Sequence, residues 1–358
     1  MNLVISCVAL ALASWPLEPA AGDTTPQRCL VVDLDLAGRI RQISPDPGIA
    51  RSAELARGRV ELGIVEGAVS GRIALDTIRS VPETGDVGVA GEPLLPRVQI
   101  AEGRLVWAEA GLAVAAGLID DPWVVSGNQA SGWRPLAPIL SESQGWFERS
   151  DLGASLSFTA PERLLTLRGS YLNGEGLAHR ERNEGKDTTA MLTLRPLVFA
   201  DRSPELLELS LLLRDGSRGL QRARDHRLGV RLSGALQGHR YGVEYVHASG
   251  VRGDPLRTPS GLSGWGSVNP WWDLIAISRL DLVQQLPGAG GSETLFLGAL
   301  GYRGPGEGPR GGHVLAGLQR RAAGAAAAEI AGGPATSQAT TLFVQLGISA
   351  RASVPTGP

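Results

Sequence analysis

From residue 28 almost to the end, apolar and polar side chains alternate one by one. A period of two fits a strand, whose side chains point to opposite faces in turn, and does not fit a helix. Leu30, Val32, Leu34 and Leu36 stand against Val31, Asp33, Asp35 and Ala37. Val60, Leu62 and Ile64 stand against Arg59 and Glu61; after Glu66-Gly67, Val69, Ile73 and Leu75 stand against Ser70, Arg72 and Asp76. The same pattern returns around Leu156, Leu167, Leu211, Val230 and Val344, with Asp151, Arg168, Glu208, Arg214, Arg231 and Gln345 on the opposite faces.

Alternation alone does not say which face is inside, since soluble barrels alternate identically with the apolar face inward. Three features favour the opposite arrangement. The polar faces carry full charges on nearly every strand, the pattern extends without an evident amphipathic helix, and the links differ in length. Short turns fall near Glu66-Gly67, Ala110-Gly111, Pro161-Glu162, Gln237-Gly238 and Pro287-Gly288. Long links run roughly over 40–56, 79–96, 120–147, 174–186, 216–225, 250–270 and 304–311. Short turns on one rim and long loops on the other mark an all-β, antiparallel transmembrane barrel of the outer membrane. Counting spans predicts about 16 strands, with about 14 as the alternative. Leu295 to Tyr302 is apolar on both faces and has no assigned orientation, and Ala322 to Gly333 reads as a thin strand, a short helix or a loop.

The first residues agree with export. Leu3 to Trp15 is apolar, too short to span a bilayer as a helix, and followed by Pro16, Pro19 and Ala20-Ala21-Gly22. It reads as a signal peptide over 1–22, leaving 23–358 as the barrel. Cys7 lies inside this leader, so Cys29 stands alone and closes no internal disulfide. A formal net charge of −2 over 358 residues leaves no basic footprint for nucleic acid. Trp123, Trp133, Trp146 and Phe147 flank one long link and Trp265, Trp271 and Trp272 another, either as interfacial rings or as loop packing.

The central third of the chain resembles a family. Trp146-Phe147-Glu148-Arg149-Ser150-Asp151-Leu152-Gly153, a strand, a Pro-containing turn, a second strand and Asn173-Gly174-Glu175-Gly176 look like the phosphate-selective porins (porins O and P). Asn183, Lys186-Asp187 and the hairpin from Gly103 to Gly117 with Asp121-Pro122 after it continue the resemblance. The resemblance implies a homotrimer of sixteen-stranded barrels whose third long loop, here Asp120 to Gln144, folds into the lumen. Asp120, Arg134 and Glu142 would then stand at the constriction. Phosphate-specific members use lysine clusters, whereas this chain has one lysine, Lys186.

In a pore, charges on the lumen wall select solutes by sign and size. Strand parity points Arg59, Arg72, Arg168, Arg214, Arg231 and Arg240 inward, with Asp33, Asp35, Glu61, Asp76, Asp151, Glu208 and Glu244 on the same wall. Opposite charges there either shape the local potential or pair across strands. The expected function is passive diffusion of small hydrophilic solutes, with anions such as phosphate among them, and the partners are outer-membrane lipid and those solutes. The alternatives are a non-conducting barrel that presents surface loops, and an outer-membrane hydrolase. For the last, Ser263 in Gly261-Leu262-Ser263-Gly264-Trp265 falls one position short of a nucleophile elbow, and His179, His226, His239, His247 and His313 are scattered. No spaced metal ligands or cofactor fingerprints occur, so no enzyme, metal or cofactor is expected.

Overall fold

The computed structural model describes residues 28–44, 50–79, 94–174, 176, 185–197, 205–218, 223–269, 273–285, 291–304, 311–324 and 337–355. The alternating segments form strands β1 (Arg28–Ser44), β2 (Ala50–Glu66), β3 (Val69–Arg79), β4 (Leu94–Trp107) and β5 (Leu112–Asp120). After a long link come β6 (Ser150–Thr159), β7 (Leu165–Leu172), β8 (Asp187–Leu194), β9 (Glu208–Arg218), β10 (Ala223–Leu236) and β11 (His239–Ser249). The wall is completed by β12 (Ser260–Val268), β13 (Leu274–Gln284), β14 (Ser292–Arg303), β15 (Gly311–Ala323) and β16 (Ser337–Pro355). Each strand pairs with its sequence neighbours, and β1 pairs antiparallel with β16 from Cys29↔Pro355 to Ser44↔Thr340. The result is a closed barrel of 16 strands. Closure leaves no sheet edge with unpaired N–H and C=O groups, which is the condition for strands to sit in hydrocarbon.

The two faces of the wall separate as the alternation requires. Leu62, Ile64, Ile73, Leu156, Leu213, Leu232, Leu282, Leu342 and Leu346 are exposed on the outside. Their polar neighbours Arg231, Glu244, Ser263, Asp281 and Gln345 are buried on the inside. The apolar face therefore looks outward, the reverse of a soluble barrel. In β14 the ambiguity resolves: Leu297 and Ala299 are buried inward, while Phe296, Leu300 and Tyr302 face out.

Several sequence expectations about the links need correction. The stretch 250–270 is not one link, because β12 runs through it; its Gly261, Gly264 and Gly266 gave it little strand signature. Missing one strand reversed the sorting after it. The β13 and β14 ends that flank Pro287-Gly288 belong to the long-loop rim and the β14 and β15 ends that flank 305–310 to the short-turn rim; the two segments themselves lie outside the described residues. Most of 40–56 is strand, since β1 and β2 are 17 residues each and only 45–49 lies between them. Together with 219–222 between β9 and β10, this makes two short connections on the long-loop rim. In the Ala322–Gly333 stretch, β15 ends at Ala323 and 325–336 lies outside the described residues. The expected leader, Trp271 and Trp272 also lie outside them. Cys29 lies buried in β1.

Candidate functional site: the inward loop and the lumen

The link between β5 and β6, residues 121–149, folds into the barrel and carries two helices, α1 (Pro122–Ser131) and α2 (Leu140–Ser143). Asp121 starts α1 as its N-cap, accepting hydrogen bonds from the backbone N–H of Trp123 at 2.9 Å and Val124 at 3.0 Å. Pro122 follows at the first helical position, where its missing N–H costs nothing. Gly132 ends the helix in the left-handed conformation, φ 72°. Asn128 then ties the helix to the return segment: its Nδ2 donates to Glu142 Oε2 at 2.6 Å, and its Oδ1 accepts from Ile139 N at 3.2 Å.

Wall arginines hold the loop in place by donating to its backbone oxygens. Arg231 Nη2 donates to Trp123 O at 3.0 Å, Arg240 Nη1 to Gln129 O at 2.7 Å and Arg39 Nη2 to Leu136 O at 2.7 Å. Arg227 Nε donates to Trp146 O at 2.9 Å, and Arg279 donates to Pro138 O. A loop carbonyl turned away from water needs such a partner, and a guanidinium offers five donors in a fixed fork. Aromatic packing supplements these bonds. Trp123, Trp146 and Phe147 are buried between loop and wall, and the Arg231 guanidinium lies 3.8 Å from the Trp123 ring centroid. Of the two roles open to Trp123, Trp133, Trp146 and Phe147, loop packing is the one observed. Trp265 points inward and borders a small chamber between loop and wall with Trp133 and Leu136.

Four of the charged residues expected on the lumen wall are committed elsewhere. Arg231, Glu244 and Arg214 are buried behind the loop: Arg231 pairs with Glu244 at 3.1 Å, and Arg214 pairs with Asp187 and lies 3.5 Å from Asp121. Asp151 is buried too, accepting from Leu152 N and Gly174 N, both at 2.7 Å, and from Gly176 N at 3.4 Å. It anchors the link after β7.

The remaining lumen is a cavity of about 1090 Å³ that reaches the short-turn rim and is bounded by α1 on one side. Arg59, Arg72, Arg168, Arg240 and Glu208 line it, as do Arg104, Arg149 and Arg195. Asp76 stands opposite Arg59 in the β2–β3 register without bordering the cavity. Glu208 pairs with Arg195 at 2.6 Å. Arg104 and Arg168 differ: no acidic partner pairs with either among the described residues. Small residues separate them, for the register runs Arg104↔Ala115↔Ser155 and Arg168↔Ser157↔Ala113 across β5 and β6.

The structure brings the three residues expected at a constriction into one charged cluster. Arg134 Nη2 pairs with Glu142 Oε1 at 2.6 Å, both on the loop, and Asp120 Oδ2 accepts from Arg72 Nη2 at 2.7 Å. Arg149, which sequence reasoning did not single out, joins them with Nε 3.5 Å from Asp120 Oδ1. Arg59 completes the opposite wall, donating to Glu61 at 2.6 Å and Gln99 at 3.0 Å. Burial, then repulsion from Arg134 and Arg59, lowers the Arg149 pKa to about 10, so the site favours a compensating negative charge. Burial would raise the Glu142 carboxyl, but Arg134 outweighs it and holds the pKa below its ordinary value. Burial pushes Asp121 up to about 6 against the pull of Arg214 and the two capping N–H groups.

Of the hydrolase candidates, His179 lies outside the described residues. Ser263 Oγ donates to Asp281 Oδ1 at 2.6 Å, and Asp281 also accepts from Arg279 Nε at 2.8 Å, with no histidine bonded to Ser263 among the described residues.

No protein-family model matches the chain, and no curated protein matches it. Its fold is that of outer-membrane porins of known structure. An anion-selective porin from Comamonas acidovorans superposes with a TM-score of 0.66 at 11% identity, over 90% of this chain and 100% of that one. OmpF of Salmonella typhi, solved in complex with daunomycin, gives 0.60 at 10% identity, over 89% and 97%. The trimer form of OmpT, an outer-membrane protein of Vibrio cholerae, gives 0.58 at 10% identity, over 90% and 100%. The chain is thus similar in architecture to porins from several bacteria.

Proposed function

We propose that this protein is an outer-membrane channel for passive diffusion of small hydrophilic solutes, with a mild preference for anions and no catalytic role. The observation that carries this reading is the cavity of about 1090 Å³ between α1 and the wall, bordered by Arg104 and Arg168, which lack acidic partners among the described residues. Most other lumen charges neutralise one another in pairs, so an excess cationic guanidinium surface sets the sign of the local potential. The preference is for anions in general, because arginine binds carboxylate and phosphate groups alike. Export through a leader over 1–22 and assembly as a homotrimer belong to the same reading; the OmpT trimer and the anion-selective Comamonas porin support it by analogy of fold.

The test is a planar bilayer with a salt gradient. The purified protein should give stable steps and a reversal potential of the sign for anion preference. Arg104→Glu with Arg168→Glu should move that potential toward cations, and the difference should shrink at about 1 M salt, where the screening length is about 3 Å. Silence from correctly folded protein would favour a barrel that only presents surface loops.

A further inference from the structure

The loop segment Trp133–Ala137 is seated by a chain of hydrogen bonds whose direction is fixed at one end. Arg39 can only donate, and its Nε and Nη2 both reach Gln345 Oε1, at 3.0 and 2.6 Å. The amide of Gln345 is thereby oriented, and its Nε2 faces His313 Nε2 at 3.3 Å. An amide nitrogen donates, so His313 Nε2 must present its lone pair. The imidazole in this arrangement is neutral, with its proton on Nδ1.

The same Arg39 Nη2 also donates to Leu136 O at 2.7 Å and Pro135 O at 3.2 Å. On its other side, His313 meets Trp133 edge-on, with ring centroids 5.9 Å apart and planes at 87°. The ring is buried over Gly347, where a β-carbon would lie 2.1 Å from Cε1. Histidine and loop are therefore joined twice, through Gln345–Arg39 and through Trp133.

We propose that His313 is a pH-operated latch on the inward loop: neutral, it seats Trp133–Ala137 against the wall, and protonated, it lets that segment move into the lumen. Protonation would set N–H against N–H at Gln345. It would also place a cation among cations. Arg303 on β14, its guanidinium 5.2 Å from the Trp133 centroid, lies beside the ring, and Arg39 on β1 shares Gln345 with it. Asp35 on β1 is the carboxylate facing it, while Gln345 and Phe343 on β16 and Leu315 on β15 carry no charge. Histidine is the side chain whose charge changes most readily near neutral pH, so acid is the signal such a latch would read.

The gating half rests on the channel reading; the latch itself does not, and two measurements separate them. In detergent micelles with ¹⁵N-histidine, the signal absent from His313→Phe should show the neutral Nδ1–H form at pH 7.5 and become imidazolium by pH 5. In bilayers at constant ionic strength, acidification over that range should lower the open fraction of the wild type several-fold. His313→Phe keeps the ring against Trp133 and should respond weakly. Gln345→Glu keeps an acceptor for Arg39 and gives His313⁺ one as well, so its response should be abolished or reversed. An imidazolium already present at pH 7.5 overturns the latch. So does an acid response of full size in both variants, while a protein that titrates as expected but never conducts overturns the channel reading alone.

Discussion

The indole of Trp123 fills the space above Gly229, where a β-carbon would stand 2.8 Å from Cζ2 and 3.0 Å from Cη2. That contact sets how closely α1 approaches β10, so the smallest side chain at position 229 would lift the loop. We expect Gly229→Ala to cost about 1–3 kcal/mol in urea unfolding of the detergent-folded barrel. Gly229→Val should cost more and add partial closures in single-channel records. An alanine variant with wild-type stability and conductance would show that Trp123 relaxes freely.

Arg231 and Glu244 should be destabilising to separate and much less so to remove together. Both side chains are almost fully buried, and Arg231 also donates to Trp123 O and Ser126 Oγ, each at 3.0 Å. Arg231→Met leaves a buried carboxylate unpaired, at a cost of about 3–5 kcal/mol. Adding Glu244→Leu should recover most of that loss but not the seating of α1. Equilibrium unfolding reads the first effect and channel noise the second.

Asp121 predicts a pH dependence of known sign. Its pKa in the folded protein is about 6, above the ordinary 3.8, so the fold binds this proton more tightly than the unfolded chain does. Its contribution therefore favours the fold in acid and is lost as pH rises from about 4 to about 6. Asp121→Asn, which still caps a helix, should flatten that part of the stability profile. Asp121→Ala should lose about 1 kcal/mol of capping at every pH. Urea midpoints measured across pH 4–7 would decide; an unchanged slope in the asparagine variant would contradict the assignment.

Arg134 and Glu142 should behave as one unit. They meet at 2.6 Å on the loop, and Glu142 also accepts from Asn128 at 2.6 Å. A double-mutant cycle through Arg134→Ala and Glu142→Ala should give a coupling of about 0.5–3 kcal/mol in stability. Arg134→Ala should also raise unitary conductance by removing a long side chain from the lumen cavity. A coupling near zero would mean the pair is solvated and contributes nothing to holding the loop.

Much of the barrel was legible because its code is local. The outward leucines and inward charges follow from strict alternation, and Asp120, Arg134 and Glu142 share one charged cluster because the loop that carries two of them starts beside the third. The lapse at β12 has a physical cause: a strand built on Gly261, Gly264 and Gly266 has few side chains to show a period, yet the wall needs that emptiness where Leu140 and Trp146 pack on Gly261. The fates of Arg214, Arg231 and Asp151 were not legible, since parity says only that a side chain points inward. What it finds there is set by partners far along the chain, such as Trp123 for Arg231. Arg149 gave no signal either, for a charged residue at the end of a loop looks the same solvated or enclosed.

The seam between β1 and β16 joins residues from opposite ends of the barrel sequence, as in Cys29↔Pro355. Bringing such distant segments together carries the largest loop-closure entropy in the molecule, and nothing earlier in synthesis can substitute for it. A nascent chain lacking its last strand holds two raw margins, each ready to pair with any stray polypeptide. Maturation must then proceed with the whole chain shielded until both margins can meet, and the slowest step in building the wall should be its final stitch.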